Sequence, residues 1–567
     1  MLWVRLNYMK KGWYSIMLVE IMCDKFINHG IPRGRISLHA GLNTVMGSSN
    51  GSNSIGKSTF LMIIDFAFGG DDYVEKLTDV QTEVGEHRIC FAFHFKDGMH
   101  FFSRSNVDYK NIQKCDNNYH PLDDGLISLT QYLSFLQVNY NMDLIGLTFR
   151  NAIGRFMRIY KRESLDEERP LHQSKQETAK AAIEGLLKLT DLYSGIEAQS
   201  KIAADAKDRY STFKKAQKYR YIPFVTKQTE FNKNQNRINE LANQIEELAR
   251  KSSGGLLDLG SMQAEQLSIL KGNLSKFKRQ RSQLLSQLRA LHVDQGLGKK
   301  GFKKNYDDLL HFFPEVDLKK IEAIEGFHKQ LTNILKNEFS EAEENIQATL
   351  SLVENEIAQI EISITQIAKT TDLSKAVLDQ YATVDNELKE LQAANENYTK
   401  KKELSVIAND YEAELNRLVV EQMAIMQQKI NTEMTEINDV IYNGRKTAPT
   451  LNIIDASKYT FFTPRDGGTG AQYKGLVVFD LAMLKLTRLP VIAHDSLMLK
   501  NIEDDAIEKI MDLYASTPKQ VFIAMDKEGS YTPKAQKIME DNKVLQLNAD
   551  EGALFGRTWN DVEVENN

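Results

Sequence analysis

Eight residues near the start of the chain, Gly51-Ser52-Asn53-Ser54-Ile55-Gly56-Lys57-Ser58, have the spacing G-x-x-x-x-G-K-[ST]. Such a loop cradles phosphates. Its glycines let backbone amides face the ligand, Lys57 neutralises β/γ charge, and Ser58 supplies a hydroxyl for Mg²⁺. A plausible strand, Leu42-Asn43-Thr44-Val45-Met46-Gly47, leads in, and the apolar run Thr59–Ile64 leads out as a buried helix. Gly51, Asn53, Ser54, Gly56, Lys57, Ser58 and Thr59 are therefore the expected triphosphate contacts for ATP or GTP, and no NKxD-type guanine reader is present. Far along the chain, Leu489-Pro490-Val491-Ile492-Ala493-His494-Asp495 reads as an apolar strand ending in a carboxylate, so Asp495 is expected to hold Mg²⁺ through water, opposite Ser58. Before it, a small-residue loop, Gly467-Gly468-Thr469-Gly470-Ala471-Gln472, opens the helix LVVFDLAMLKL; its amides at Thr469, Gly470 and Gln472 suit a phosphate.

Two stretches this far apart in sequence need an intervening element that lets the chain return. Of ten prolines, only Pro314 lies between Pro223 and Pro449, and all three tryptophans (Trp3, Trp13, Trp559) sit near the ends. Proline is excluded from helix interiors, so the middle reads as helix. Val353, Ile357, Ile360, Ile364 and Ile367 step by 4, 3, 4, 3, and after an insertion near Thr370–Asp372 the pattern resumes at Val377, Tyr381, Val384, Leu388 and Leu391. Ile238, Leu241, Ile245 and Leu248, then Leu267, Leu270, Leu274 and Phe277, do the same in the first half. This is a coiled-coil seam. The segment 292–315, rich in glycine and aromatics, is the expected turn between two antiparallel helices, and Ser252-Ser253-Gly254-Gly255 an elbow within the first. Outside the coil, Arg88–Phe102 alternates around Asp97-Gly98 as a hairpin, and LNIID (451–455), YTFFT (459–463), VIAHD (491–495) and QVFIAMD (520–526) are short strands of a parallel-type sheet with crossover helices. The expected organisation is an α/β P-loop head split between 1–195 and 444–567, with an ascending helix over 196–292, a tip at 293–317 and a descending helix over 318–443.

Bulk properties narrow the class. The 567-residue chain is 26% charged and 42% hydrophobic with a net charge of -6, globular rather than disordered and silent on nucleic acid. Cys23, Cys90 and Cys115 form no CxxC pattern and no disulfide framework, which favours a reducing, cytoplasmic compartment. No apolar run reaches a membrane span. The segment 1–26 resembles a signal peptide only superficially, being interrupted by Glu20, Cys23 and Asp24; Met17 is an alternative start.

The layout of phosphate loop, long helical hairpin, small-residue loop and Asp-ended strand resembles the ABC-type ATPases of the SMC and RecN class. TGAQYKGLVVFDLAML (469–484), LPVIAHDSLMLKNIEDD (489–505) and FFPEVDLKKIEAIEGFHKQL (312–331) are similar to the SMC-like (LmuB-type) subunit of Lamassu antiphage defence systems. The resemblance covers essentially the whole chain. It implies an ATP- and Mg²⁺-dependent homodimer whose small-residue loop completes the partner's site, a DNA ligand such as a duplex end, a small accessory subunit and a nuclease-type effector. A RecN-type repair ATPase and a nucleotide-binding scaffold with little turnover are the alternatives. One position departs from the pattern: the general base expected after Asp495 is Ser496, so Glu503, Asp504 or Asp505 must substitute, with Glu503 the candidate, or hydrolysis is slow. Asp526 stands where many relatives carry a histidine. His494 reads as a packed neighbour of Asp495. Arg150, Arg155, Arg158, Lys161 and Arg162 before the coil, and Lys214, Lys215, Lys218 and Arg220 at its root, are candidate DNA contacts. Solvated faces balanced by Asp166, Glu167 and Glu168 are the equal alternative. Lys299, Lys300, Lys303 and Lys304 at the tip either bind DNA or keep the turn soluble.

Overall fold

The computed structural model describes residues 16–47, 55–251, 257–297, 343–367, 375–525 and 531–558. The chain divides into two compact units, residues 1–203 with 411–567, and residues 204–410. The first unit takes in the end of the Lys375–Tyr442 helix, where Met423, Met426, Ile430 and Met434 are buried in its core, beyond the boundary expected at 443–444.

The head contains a five-stranded sheet in the order Met157–Arg158, Val491–His494, Gln520–Met525, Gly41–Met46, Lys543–Gln546. All four pairings are parallel. The three central strands are buried at every position, as expected of a sheet covered by helices on both faces. One of those helices, Lys57–Ala67, follows the phosphate loop, and another, Thr469–Leu486, follows the small-residue loop. A six-stranded sheet carries Met17–Met22 beside the hairpin Arg88–Phe95 and Gly98–Ser105, closed by Phe95 opposite Gly98. The Gln520 side chain joins the sheets, accepting from the Leu18 amide and donating to the Leu18 carbonyl. The strands at 450–455 and 458–462 correct one expectation. They form an antiparallel hairpin of their own and do not join the parallel sheet, because only two residues separate them.

In the second unit the helices Gln228–Lys251, Leu257–Leu297, 343–367 and the start of Lys375–Tyr442 pack together. Arg237 pairs with Glu387 while Phe231 meets Tyr398, so these two helices are antiparallel, as predicted. Lys271 pairs with Asp379 and Arg279 with Glu390, so Leu257–Leu297 runs parallel to the last helix. Lys278–Glu361 and Arg281–Glu354 set 343–367 antiparallel to it. Among the described residues, four helices thus pack together beyond the Ser194–Lys218 helix, where a single hairpin is expected over 196–443. The heptads are the reason: seam residues Leu241, Leu267, Val353 and Ile357 are all buried, and Leu267, Ile364 and Tyr381 from three helices share one cluster. A two-stranded seam and a four-helix seam have the same period. The proposed elbow at 252–255, the insertion at 370–372, the tip at 293–317 beyond residue 297, its lysines and the segment 312–331 lie outside the described residues.

Candidate nucleotide pocket

The Lys57–Ala67 helix starts at the carboxyl edge of the parallel sheet. Its cap, Gly56, has φ +96°, and a β-carbon there would lie 2.5 Å from the Leu554 side chain, so only glycine fits. Leu554 donates its amide to the Ile55 carbonyl and seals the loop's exit. Lys57 is nearly buried and lies over Gly47, the residue after the Gly41–Met46 strand; a β-carbon on Gly47 would come 2.9 Å from Nζ.

Two strands away, Asp495 follows Val491–His494. It caps the short helix Ser496–Leu499 and is 2% exposed. Its Oδ2 accepts from the Tyr160 amide (3.2 Å), and its Oδ1 from the Ser496 hydroxyl (3.2 Å) and the Leu497 amide (3.4 Å). Three donors leave part of the carboxylate's acceptor capacity available, which suits water-mediated Mg²⁺ binding.

Gly56, Lys57, Ser58, Thr59, Asp495 and Ser496 line one cavity of about 390 Å³. Residues from opposite ends of the chain are thereby brought together at the ends of parallel strands, where α/β sheets bind ligands. The cavity also holds Tyr160, Lys161, Lys500 and Arg557, which the sequence did not single out as nucleotide contacts. Lys161 adopts φ +69° and pairs with Asp79 at 3.5 Å. Gly51, Asn53, Ser54 and Asp526 lie outside the described residues.

Thr469, Gly470 and Gln472 do not line this cavity. They open an 18-residue helix whose cap, Gly468, offers no side-chain acceptor, and Gly467, Gly468 and Thr469 are exposed. The orphan amides of that helix are therefore not part of the cavity formed by the same chain. Glu503 requires a correction. It caps the Asp504–Ser516 helix, pairs with Lys446, is 63% exposed and is not at the cavity, so it is not placed to deprotonate water there. Asp504 and Asp505, in that helix's first turn, are exposed and equally remote from the cavity.

The arginines before the coil need correcting too. Arg150 and Arg162 both bind Asp65, a buried carboxylate on the phosphate-loop helix. Arg155 is buried against Glu177. Arg158 and Asp480 are fully buried and paired through two hydrogen bonds of 2.9 and 2.8 Å. Asp480 lies on the Thr469–Leu486 helix and also meets His494 Nε2 at 3.0 Å, while His494 Nδ1 meets the Tyr514 hydroxyl. Burial pushes the Asp480 carboxyl up, but Arg158 and then His494 outweigh it and hold it below the usual carboxylate range. Asp65 is held low in the same way by Arg150 and Arg162 against its burial. Arg150, Arg155 and Arg158 are thus spent inside the head, Arg150 on the Lys57–Ala67 helix, Arg158 on the Thr469–Leu486 helix and Arg155 on Glu177. Lys214, Lys215 and Lys218, on the Ser194–Lys218 helix, are exposed and remain available.

Among the described residues no group of three or more His, Cys, Asp or Glu could hold a metal without a further ligand, the three cysteines are free and buried, and no helix is long and apolar enough to cross a membrane. Residues 437–559 match a family model described as an uncharacterised protein conserved in bacteria (DUF2326). No curated protein matches the chain. The chain is similar to the solved Smc head domain with a coiled coil and joint from Pyrococcus yayanosii, at 12% identity and a TM-score of 0.43 over 96% of this chain and 97% of that one. It is also similar to the Smc head domain with an extended coiled coil bound to the C-terminal domain of ScpA from Pyrococcus furiosus, at 9% identity and 0.33, over 96% and 95%. Scores this low leave the functional reading to the pocket.

Proposed function

We propose that the chain is an ATP-binding, slowly hydrolysing ATPase of the SMC type that acts as a DNA-responsive homodimer. The observation that carries the reading is the meeting of Lys57 and Asp495 in one cavity at the carboxyl edge of a parallel sheet. In this reading the triphosphate lies on the N-terminus of the Lys57–Ala67 helix, with Lys57 against the β- and γ-phosphates. Ser58 and, through water, Asp495 would hold Mg²⁺, which would supply charge neutralisation for phosphoryl transfer. The Tyr160 amide and Ser496 hydroxyl fix the Asp495 carboxylate, so its orientation is set before nucleotide arrives. Ser496 supports slow turnover, since a hydroxyl cannot accept the proton of attacking water at neutral pH and Glu503 is out of reach. The exposed, uncapped start of the Thr469–Leu486 helix supports dimerisation: its amides suit the γ-phosphate held by a second copy.

The wider assignment is a DNA sensor in an antiphage complex with a small accessory subunit and a nuclease-type effector. It rests on the resemblance of segments 469–484, 489–505 and 312–331 to the Lamassu SMC-like subunit.

ATP hydrolysis and ATP-dependent self-association, each measured with and without linear DNA, test the core of the reading. Lys57→Ala is expected to lose nucleotide binding, Asp495→Ala to lose dimerisation, and Ser496→Glu to raise turnover. Unchanged nucleotide affinity in Lys57→Ala would overturn the pocket.

A further inference from the structure

The Ser194–Lys218 helix ends in a segment with an unusual charge balance. Residues 209–229 contain Arg209, Lys214, Lys215, Lys218, Arg220 and Lys227 and no acidic residue, in a chain whose net charge is -6. Arg209 pairs with Asp205, outside that window. Among the described residues, Lys214, Lys215 and Lys218 have no carboxylate within ion-pair distance, and all three are exposed. Most exposed cations elsewhere in the helical unit have a partner, as in Arg237–Glu387, Lys278–Glu361 and Arg279–Glu390.

Aromatic rings lie among these cations. Tyr219 and Tyr221 are 58% and 52% exposed, with centroids 6.2 Å apart and planes inclined by 53°. The turn that carries them is held in place. Arg220, between them, adopts φ +59°, the left-handed turn that ends the helix; the Tyr221 amide returns to the Ala216 carbonyl, and the Arg220 amide to Gln217. From the Leu257–Leu297 helix, Gln287 donates to the Tyr221 hydroxyl at 3.0 Å and Gln283 to the Arg220 carbonyl at 3.3 Å. Lys218 Nζ lies 5.7 Å from the Tyr219 centroid, so cation and ring share one surface.

Unpaired cations alone fit any polyanion. Fixed, exposed rings beside them fit a polyanion that also presents flat apolar faces, and a strand with unstacked bases does so where an intact duplex does not. We infer that Tyr219 and Tyr221 form a stacking platform for unpaired bases of a DNA strand whose phosphates meet Lys214, Lys215 and Lys218. This rests on the reading of the chain as a DNA binder and narrows its ligand from duplex DNA to DNA with unpaired bases, such as a frayed or overhanging end.

Fluorescence anisotropy on the full chain tests it, with a labelled oligothymidylate, an abasic strand of equal length and a blunt duplex as probes. The native chain is expected to bind oligothymidylate about tenfold or more tightly than the abasic strand, in line with the loss of base–aromatic stacking. Tyr219→Ala/Tyr221→Ala should bring the two strands to parity and leave the blunt duplex within about twofold, while Tyr219→Phe/Tyr221→Phe keeps the preference because the ring is retained. Equal affinity of the native chain for both strands would overturn the platform. So would a Tyr→Ala pair without effect alongside a lysine-to-alanine triple variant that weakens every probe, although phosphate binding would survive that result. A chain that binds none of the three probes would remove the DNA reading itself.

Discussion

Arg150, Arg155, Arg158 and Arg162 look in sequence like Lys214, Lys215 and Lys218: four or three cations within a dozen residues, near the root of a helical arm. Their fates are opposite. The arginines are interleaved with Phe149, Ala152, Ile153, Phe156, Met157 and Ile159, all buried, and are carried into the head by that burial. Once there, each needs a carboxylate, and the planar fork of guanidinium matches one in two-point geometry. The lysines lie on a helix without such neighbours and stay in water. A basic cluster is therefore informative about a ligand only when its apolar neighbours and its carboxylates have been counted.

The largest expected effect comes from breaking the most buried pair. Arg158→Ala leaves the Asp480 charge fully buried with only His494 to compensate, and removing one partner of such a pair costs about 3–5 kcal/mol. Denaturant unfolding of the head should show that loss, and Arg158→Met combined with Asp480→Leu should recover much of it, since no charge is then stranded. A loss below about 1 kcal/mol in the single variant would place the pair at the surface and erase the contrast with the lysines.

The next effect is in acid. The Asp480 and Asp65 carboxyls titrate lower in the folded head than in the unfolded chain. The unfolded chain therefore binds more protons between the two values, and stability rises with pH through that window. Their contribution is complete above about pH 4, the ordinary carboxylate value, and disappears as pH falls through the folded values. Unfolding followed below about pH 4 should be less steep in pH for Asp480→Asn than for the native chain. Equal slopes would mean that the arginines do not hold the carboxylate ionised.

Much of the head was legible because its chemistry is local. The glycine spacing before Lys57 calls for a phosphate loop, and the apolar run before Asp495 for a buried strand; the strand is there, and Gly56 and Lys57 open the helix beside the same sheet. A readable signal for the arginines was also present. The phosphate-loop helix reads FLMIIDFAF and the other site helix LVVFDLAML, each with one carboxylate in an apolar run. A lone buried Asp demands a cation, and the cluster at 150–162 supplies one. The four-helix arrangement was less accessible. Heptads give the period of a seam and leave open how many helices share it. Glu503 failed for a related reason: the need for a base identifies a residue type, while the start of the Asp504–Ser516 helix carries Glu503 away from the cavity.

The smallest effect on stability belongs to the other side of the comparison. Replacing Lys214, Lys215 and Lys218 with alanine removes charges that have no ion-pair partner among the described residues, and alanine is at least as good a helix former as lysine. The folded state should change by no more than about 0.5 kcal/mol, the range for surface sites without special contacts. DNA affinity, by contrast, should fall and become less sensitive to salt. Each lysine that neutralises a duplex phosphate releases counterions, so the slope of log affinity against log salt should shrink by roughly 0.9 for every phosphate left without its lysine. A stability loss comparable to that of Arg158→Ala, with the salt slope unchanged, would mean that the lysines, like the arginines, are structural, and that their surface holds no nucleic acid.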